Sequence, residues 1–407
     1  MTAPISTDTP HSGVLEDIQS ASFRSLLDFA RWAAAFVVFA SHLRNHIHVR
    51  HGNISSEADG WSVQLWYLIS GLHWEAVSVF FVLSGFLVGG VSTARAAIGQ
   101  FHLPSYSINR VTRIYVAFAP AVILGWALDS MIVNSGAGLG IYQHLHPLVE
   151  GPSQYAYAEQ LSGEVLYSNL LMLQSFHVKP VGSNLPLWTL SFEFWFYVLF
   201  GCGVVMVIGQ PWVRRLAAAC VAGSIVAFLG GYLPAMMLLW LLGLIAASPG
   251  LQFLRRPRLA LLTLLGLLVA ARLHDYQSQP SAIAYYVMEV APTIAFAWLI
   301  FSARGQHYPW LIRLQSLNQW LASFSFSLYL VHYPVMLALI VALGQLGVDG
   351  LRVGYQPNDL TGIAVYLGVF IAVIIFSYGF ARLTEQQTSR IRALITSRLP
   401  HALRKQS

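Results

Sequence analysis

Apolar runs long enough to cross a lipid bilayer recur about ten times in this chain, and they restrict its fold more than any other feature. The runs cover residues 26–46, 64–91, 114–134, 187–208, 214–231, 232–248, 259–273, 282–302, 320–345 and 361–382. Backbone amides in hydrocarbon must be hydrogen-bonded internally, and about 20 apolar residues form a spanning helix. Only 10% of the residues are charged, against about 25% in soluble domains. The sequence therefore predicts an all-α polytopic membrane protein with about ten transmembrane helices.

The distribution of basic residues predicts how these helices are oriented. With a cytoplasmic N-terminus and alternating spans, 17 of the 23 basic residues fall on the inner side, five fall on the outer side, and Arg31 lies within the membrane. Basic residues are retained on the cytoplasmic side, so both termini are predicted to be cytoplasmic, and the net charge needs no nucleic-acid partner. We expect a cytoplasmic segment 1–25, a transmembrane domain 26–382 with a long external loop at about 135–186, and a basic cytoplasmic tail 383–407. The protein is predicted to be a multi-pass protein of the inner (cytoplasmic) membrane.

Three ionisable residues, Arg31, His42 and Glu193, lie inside apolar segments of the sequence. A charged group in a membrane span costs at least about 2.5 kcal/mol, so such residues usually face a bundle interior or a cavity and mark function. Arg31 and His42 are eleven positions apart. That spacing returns to nearly the same helix face after three turns and separates the residues by roughly 16 Å. The pair predicts a site that runs through the thickness of the membrane.

The chemistry of each of these residues suits catalysis, and each also has a simpler structural explanation. An imidazole at His42 takes a proton from a hydroxyl or carries an acyl group, or it lies at the membrane interface. The guanidinium of Arg31 binds phosphate or a polarised carbonyl, or it reaches toward lipid headgroups. Glu193 facing a histidine would hold its tautomer, whereas a neutral Glu193 would form an interhelical hydrogen bond. These residues alone leave the alternatives open.

Two further segments contain candidate binding residues. Arg110 and Arg113 share a helix face at the inner start of a span. Their positive charge would either bind a phosphate-rich cofactor or only reflect the retention of basic residues on the cytoplasmic side. The segment FFVLSGFLVGG contains Ser84, Gly85 and Gly89. Its glycine spacing suits either the close approach of two helices or the admission of a thin ligand.

Other histidines include one candidate site residue and one group that is expected to lie in a solvated loop. His332 lies inside an apolar span and precedes a proline, which makes it a candidate. His46, His48 and His51 follow His42, but the spacing is not that of a zinc site. We therefore expect no metal.

Five segments resemble, in order, the motifs of the acyltransferase-3 family of integral-membrane acyltransferases. They are the spacing from Arg31 to His42, FFVLSGFLVGG, SYSINRVTRIY, the block NLLMLQ followed by LPLWTLSFEFWFY, and FSFSLYLVHYPV. The matches reach from about residue 24 to residue 382. Each motif alone is modest, but five in the same order are specific.

The resemblance implies an acyltransferase that moves an acyl group, usually acetyl, from a cytoplasmic donor to an extracytoplasmic acceptor. The donor would be acetyl-CoA or another acyl-CoA, and the acceptor a hydroxyl of a saccharide or glycan. The implied partners are therefore acyl-CoA, the glycan and the lipid bilayer.

Carried over residue by residue, the resemblance assigns roles to the family's positions in this sequence. The residues expected to do the chemistry are His42, Glu193 and Arg31. Those expected to bind the donor are Arg31, Arg110, Arg113, Ser84 and Gly85. Further family positions without an assigned step are His332, Trp188 and Ser191.

The sequence departs from the family pattern at two places, and one other class of function remains open. Ala76, Val77 and Ser78 stand where Gly-Val-Asp often precedes the FFVLSGF segment, and Thr189 replaces a serine while keeping the hydroxyl. The alternative is a transporter or flippase for a glycan precursor that uses the buried Arg, His and Glu as a gate or proton relay. That class predicts paired repeats in the two halves, which this sequence does not show.

Overall fold

Helices make up the protein in its computed structural model, which describes residues 12–143, 148, 156–250, 252–275 and 282–398 and shows no β-strand among them. The α-helices are α1 Ser12–Asp17, α2 Ala21–Ile47, α3 Trp61–Ser70, α4 His73–Ser84, α5 Val91–Ala97, α6 Leu103–Ser135, α7 Gly163–Leu170, α8 Trp188–Ile208, α9 Trp212–Leu229, α10 Leu233–Ala246, α11 Pro257–Asp275, α12 Ala282–Ala303, α13 Pro309–Arg313, α14 Gln315–Gln345, α15 Leu360–Leu383 and α16 Thr388–Ser397. The apolar runs fold as helices because a helix pairs its own backbone groups.

Seven helical segments of the described residues are long and apolar enough to cross a membrane. They are Ala21–Ile47, Trp61–Ala97, Leu103–Ser135, Leu185–Ile208, Trp212–Leu229, Gln315–Gln345 and Leu360–Ser397. Two shorter apolar helices, Leu233–Ala246 and Val290–Ala303, coincide with further predicted spans. The prediction of an all-α polytopic membrane protein is confirmed. The count of ten spans and the cytoplasmic side of both termini stay predictions.

Helix α14 runs through the middle of the described helices and packs against α2, α6 and α15. Every residue from Leu328 to Leu337 is buried, as expected for a helix that is apolar all round. Pro334 lies inside this helix, and the Leu330 carbonyl oxygen that it frees accepts a hydrogen bond from the Asn184 side-chain amide at 2.9 Å. Because α2 lies alongside α14, His42 and His332 meet although 290 positions separate them.

The predicted second span, residues 64–91, is not one continuous α-helix. A turn separates α3 from α4, and α4 continues through a π-helical turn, Gly85–Gly90, into α5. A Cβ atom on Gly85 would overlap the carbonyl oxygen of Trp240 in α10. Of the two uses that the sequence left open for Gly85, the close approach of two helices is the one visible in the structure.

Replacing Gly85 by Ala is expected to destabilise the protein because the added methyl group meets backbone that has little freedom to move. Overpacking of this kind costs about 1–3 kcal/mol. Thermal unfolding in detergent should show a lower midpoint for Gly85→Ala. The control is Gly223→Ala in α9, where an added Cβ has no heavy atom within 4 Å. Equal midpoints for the two variants would show that packing against α10 does not require Gly85.

A buried carboxylate anchors the predicted external loop, of which residues 144–147 and 149–155 lie outside the described residues. Asp129 in α6 accepts hydrogen bonds from the Tyr142 hydroxyl at 2.7 Å, from the Ser183 backbone N–H at 2.7 Å and from the Ser183 hydroxyl at 3.0 Å. These bonds tie both ends of the loop to one helix. The chain that follows Ser183 enters α8, so the anchor also positions that helix.

The segment after α15 folds back onto the helices. Glu385 is only 7% exposed, and its carboxylate accepts hydrogen bonds from the Ser327 backbone N–H and hydroxyl, each at 3.0 Å. Helix α16 then packs against α6. The first part of the predicted basic tail is therefore ordered against the helices, as far as the structure describes it.

Candidate functional site

Two cavities lie along α14 on either side of Tyr329, which lines both. One has a volume of about 160 Å³ and includes Phe326, roughly one helical turn before Tyr329. The other has a volume of about 850 Å³ and includes Tyr333, one turn after it. We call the first the arginine cavity, for Arg31, Arg110 and Arg113 in its wall, and the second the histidine cavity, for His42, His73 and His177.

The structure distributes the candidate residues between these two cavities and their surroundings. The arginine cavity is lined by Arg31, Arg110, Arg113, Ser84 and Glu193. The histidine cavity is lined by His42 and Trp188. His332 is buried beside His42, Gly85 packs against α10, and Ser191 is buried with its hydroxyl bonded to the carbonyl oxygen of Trp188 at 2.7 Å.

Three arginines reach the arginine cavity from two helices. Arg31 of α2 pairs with Asp28 at 3.6 Å. Arg113 of α6 pairs with Glu385 at 3.1 Å. Arg110 lies over the ring of Tyr197, 5.8 Å from its centroid, and its buried Nε has no hydrogen-bond partner among the described residues. A buried donor without a partner is costly, and a bound anion would satisfy it.

A chain of hydrogen bonds ends on Glu193 in the same cavity. The Trp240 indole N–H donates to the Ser84 hydroxyl at 3.0 Å. The Ser84 and Tyr197 hydroxyls are 3.0 Å apart, and Tyr197 donates to the Glu193 carboxylate. Since tryptophan is only a donor, the chain has one consistent direction, from Trp240 toward the carboxylate. The partner of Glu193 is therefore Tyr197, one turn along its own helix, and not the expected imidazole of His42.

The imidazole partner of His42 is His332. The two rings are nearly parallel, with an interplanar angle of 6°, and His42 Nδ1 lies 2.9 Å from His332 Nε2. His332 Nδ1 lies 3.1 Å from the Leu328 carbonyl oxygen and 2.9 Å from that of Tyr329. Because carbonyl oxygens only accept, His332 Nδ1 carries the hydrogen.

This hydrogen-bond network determines which nitrogen of His42 is free. A neutral His332 with hydrogen on Nδ1 has an acceptor at Nε2, so His42 Nδ1 donates to it. A doubly protonated ring would be a buried charge, and the structure shows no carboxylate contact to either ring among the described residues. The Nε2 atom of His42 therefore bears a lone pair, which suits a base or nucleophile.

Aromatic side chains form a large part of the wall of the histidine cavity. Trp74, Phe176, Trp188 and Phe192 line it together with His42. Ligand sites are commonly apolar and aromatic with a few polar groups that set the orientation. The cavity thus offers apolar surfaces and a basic nitrogen to the same ligand.

The wall between the two cavities is held by hydroxyl groups. The Tyr329 hydroxyl donates to the Pro186 carbonyl oxygen at 2.9 Å and lies 2.8 Å from the Thr189 hydroxyl. The Thr189 hydroxyl, at a position where the sequence resemblance led us to expect a serine, therefore has a definite partner. Tyr329 therefore lies between the cavity that holds Arg31 and the cavity that holds His42.

Several residues of the site were not anticipated from the sequence. Asp28 lies three positions before Arg31, and Tyr197 lies four positions after Glu193. Residues at these spacings are neighbours on a helix, so both contacts could have been found from the sequence. Tyr329 and Glu385 belong to α14 and to the segment after α15, and no local pattern connects them to the arginines. Among the described residues, no group of three or more His, Cys, Asp or Glu side chains could hold a metal ion.

Comparison of the sequence with known proteins gives one family and one distant relative. A family model described as "Acyltransferase domain", of the acyltransferase-3 type, matches residues 24–382. Acyltransferase MdmB from Streptomyces mycarofaciens is 28% identical over 201 residues, which are 48% of this chain and 43% of that protein. The matched region thus spans less than half the length of the relative. No solved structure matches the chain.

Proposed function

Because this chain belongs to the acyltransferase-3 family, we propose that it is a membrane O-acyltransferase of the cytoplasmic membrane. It moves an acyl group, in the first place acetyl, from cytoplasmic acyl-CoA to a hydroxyl of an extracytoplasmic saccharide or glycan. The observation that supports this proposal best is the pair of cavities that meet at Tyr329. One offers guanidinium groups to phosphates, and the other offers a free imidazole nitrogen to a hydroxyl.

The donor binds in the arginine cavity in this proposal. Guanidinium groups bind phosphate oxygens through two parallel hydrogen bonds, and Arg110 has a buried Nε–H without a partner. The arm that carries the thioester extends along α2 from Arg31 toward His42, a rise of about 16 Å. To reach the imidazole it passes Tyr329, which lines both cavities.

The transfer takes place at Nε2 of His42. This nitrogen accepts the proton of the acceptor hydroxyl while the hydroxyl oxygen attacks the thioester carbonyl carbon. The carbon–sulfur bond breaks, and the proton passes from the imidazolium to the leaving thiolate, which departs as free CoA. His332 keeps the hydrogen of His42 on Nδ1 throughout and stabilises the positive charge that develops on the ring.

The residues of the arginine cavity shape the donor end of the reaction. Glu193 holds Tyr197 under the guanidinium of Arg110, so it acts here as a positioning residue. Arg31 is about 16 Å from His42 along a straight helix, too far to contact the thioester carbonyl while the carbonyl lies at the imidazole. We therefore give Arg31 a part in donor binding. The acceptor occupies the histidine cavity, where aromatic side chains pack against its apolar faces.

The test of this proposal is donor binding combined with acyl transfer. Purified protein in nanodiscs should bind acetyl-CoA, and Arg110→Ala should weaken that binding about tenfold or more, because a hydrogen bond to a charged group contributes about 1.5–3 kcal/mol. The matched control is Arg95→Ala, an exposed arginine of α5 that does not line the cavity. Isothermal titration gives both dissociation constants.

The acceptor side is tested by mass spectrometry of envelope saccharides from cells with and without the protein. We expect the saccharides of cells that lack the protein to lose one acyl mass. Expression of the Arg110→Ala variant in these cells should not restore that mass when the supply of acyl-CoA is low. If acyl-CoA does not bind, or binds equally to Arg110→Ala and wild type, the proposed donor site is wrong. Movement of an unmodified glycan precursor without any acyl mass would favour the transporter.

A further inference from the structure

Helix α16 brings an arginine of the C-terminal segment to the two arginines of α6. The Nε–H of Arg392 donates to the Thr112 hydroxyl at 3.2 Å. Thr112 is buried and lies between Arg110 and Arg113 in sequence. Burial, and after it the positive charges of Arg110 and Arg113, lower the pKa of the Arg392 guanidinium. Three positive groups from two distant parts of the chain therefore lie near one another, and two of them, Arg110 and Arg113, are in the wall of the arginine cavity.

The positive charge of this group is only partly neutralised. The structure shows one carboxylate in contact with the three arginines among the described residues, that of Glu385 on Arg113. Glu385 is held from α14 by the Ser327 N–H and hydroxyl at 3.0 Å each, so its position does not depend on Arg113. Among the described residues the cavity wall contains one carboxylate, that of Glu193, which accepts a hydrogen bond from Tyr197 under Arg110. The three like charges repel each other, and a ligand with several negative charges would relieve that repulsion.

The chemistry of the three groups indicates what such a ligand would be. Guanidinium forks match phosphate oxygens. Arg110 also has a buried Nε–H without a hydrogen-bond partner among the described residues, which is a second and independent indication of an anion-binding site. Together these features point to a ligand that carries more than one phosphate group.

We propose that Arg392 of α16 is a third phosphate-binding arginine, which together with Arg110 and Arg113 holds the nucleotide end of the acyl-CoA donor. This inference rests on the proposed function for the identity of the donor. It adds a residue outside the family's motifs, and it gives the C-terminal segment a part in the site. Glu385 is then a positioning residue that holds Arg113 in this group.

The experiment compares two donors that have the same thioester but differ in phosphate groups, acetyl-CoA and acetyl-pantetheine. Arg392→Ala should raise KM for acetyl-CoA about tenfold or more and leave KM and kcat for acetyl-pantetheine unchanged. Arg392→Lys should fall between, because a point charge replaces a planar fork. The control is Arg390→Ala, an exposed arginine of the same helix that contacts Gln387, and it should behave as wild type with both donors.

An anionic lipid headgroup has the same phosphate chemistry, and the lipid composition separates the two sources. In nanodiscs of neutral phosphatidylcholine the effect of Arg392→Ala should persist. An effect that is seen only when phosphatidylglycerol is present would overturn the inference, since Arg392 would then bind lipid. Equal KM values for Arg392→Ala and Arg390→Ala with acetyl-CoA would overturn it as well.

Direct binding of labelled CoA to the purified protein separates this inference from the proposed function. One outcome is that the wild type binds CoA more tightly than Arg392→Ala but transfers no acyl group from any acyl-CoA. This result would support the phosphate site and contradict the acyltransferase proposal. A second outcome is that the wild type transfers acetyl and that Arg392→Ala binds CoA as tightly as the wild type. This result would contradict only the phosphate site. Unchanged turnover of acetyl-pantetheine, or an unchanged thermal midpoint, shows that the variant is folded.

Discussion

Replacing His42 by Gln is expected to lower acyl transfer about a thousandfold while leaving the binding of acyl-CoA unchanged. The proposed reaction uses Nε2 of this ring to take the proton of the acceptor, and general base catalysis contributes about 10²–10⁴ in rate. In the same proposal the donor phosphates bind in the other cavity, which the arginines line. Initial rates with labelled acetyl-CoA and the dissociation constant of CoA, measured on the same preparation, check both parts.

The control for this variant is His307→Gln, an exposed histidine outside both cavities. It should transfer acyl groups at the wild-type rate. Rapid quenching with labelled donor, in the absence of acceptor, then asks whether His42 acts as base or as acyl carrier. Label bound covalently to His42 would show that the acyl group is transferred in two steps, through an acyl-histidine intermediate, and not directly. Wild-type transfer by His42→Gln would refute catalysis at this residue altogether.

Replacing His332 by Leu is expected to lower kcat about a hundredfold, because His42 Nδ1 then loses the acceptor that keeps its hydrogen in place. The imidazole would be free to take the other tautomer, with hydrogen on the nitrogen that should act as base. His332→Gln is the informative comparison. Its amide oxygen is able to accept the same hydrogen bond, so we expect it to stay within about tenfold of wild type.

A double variant tests whether the two histidines work as a unit. Because residues that act together show non-additive effects, His42→Gln combined with His332→Leu should be no slower than His42→Gln alone. Steady-state kcat at saturating donor is the measurement. If Leu and Gln at position 332 lower kcat equally, His332 contributes packing rather than tautomer control. Multiplicative losses in the double variant would show that the histidines act separately.

Helical periodicity allowed much of this molecule to be predicted. The apolar runs predicted the all-α membrane fold, and the eleven-residue spacing predicted that Arg31 and His42 share one side of α2. In the structure both residues line cavities that adjoin Tyr329. The spacing of Arg110 and Arg113 likewise placed both in one cavity wall. A helix is regular, so sequence separation along it translates directly into face and depth.

Partners between helices were not predictable in the same way. Glu193 was expected to face His42, but it accepts from Tyr197 in the arginine cavity, while His42 binds His332. Arg113 and Glu385 are 272 positions apart and form an ion pair. Gly85 was compatible with ligand binding and with helix packing, and only the position of the Trp240 carbonyl oxygen distinguished them.

The sequence by itself determined that this chain is helical, that it belongs in a membrane, and which ionisable side chains share one face of a helix. These properties follow from local spacing and hydrophobicity, which act within a single segment. Only the tertiary structure decided that His332 leaves Nε2 of His42 free, and that Tyr329 stands between the two cavities. Those features depend on how α2, α8 and α14 pack against each other, and interhelical packing is settled by the shapes of side chains far apart in the chain.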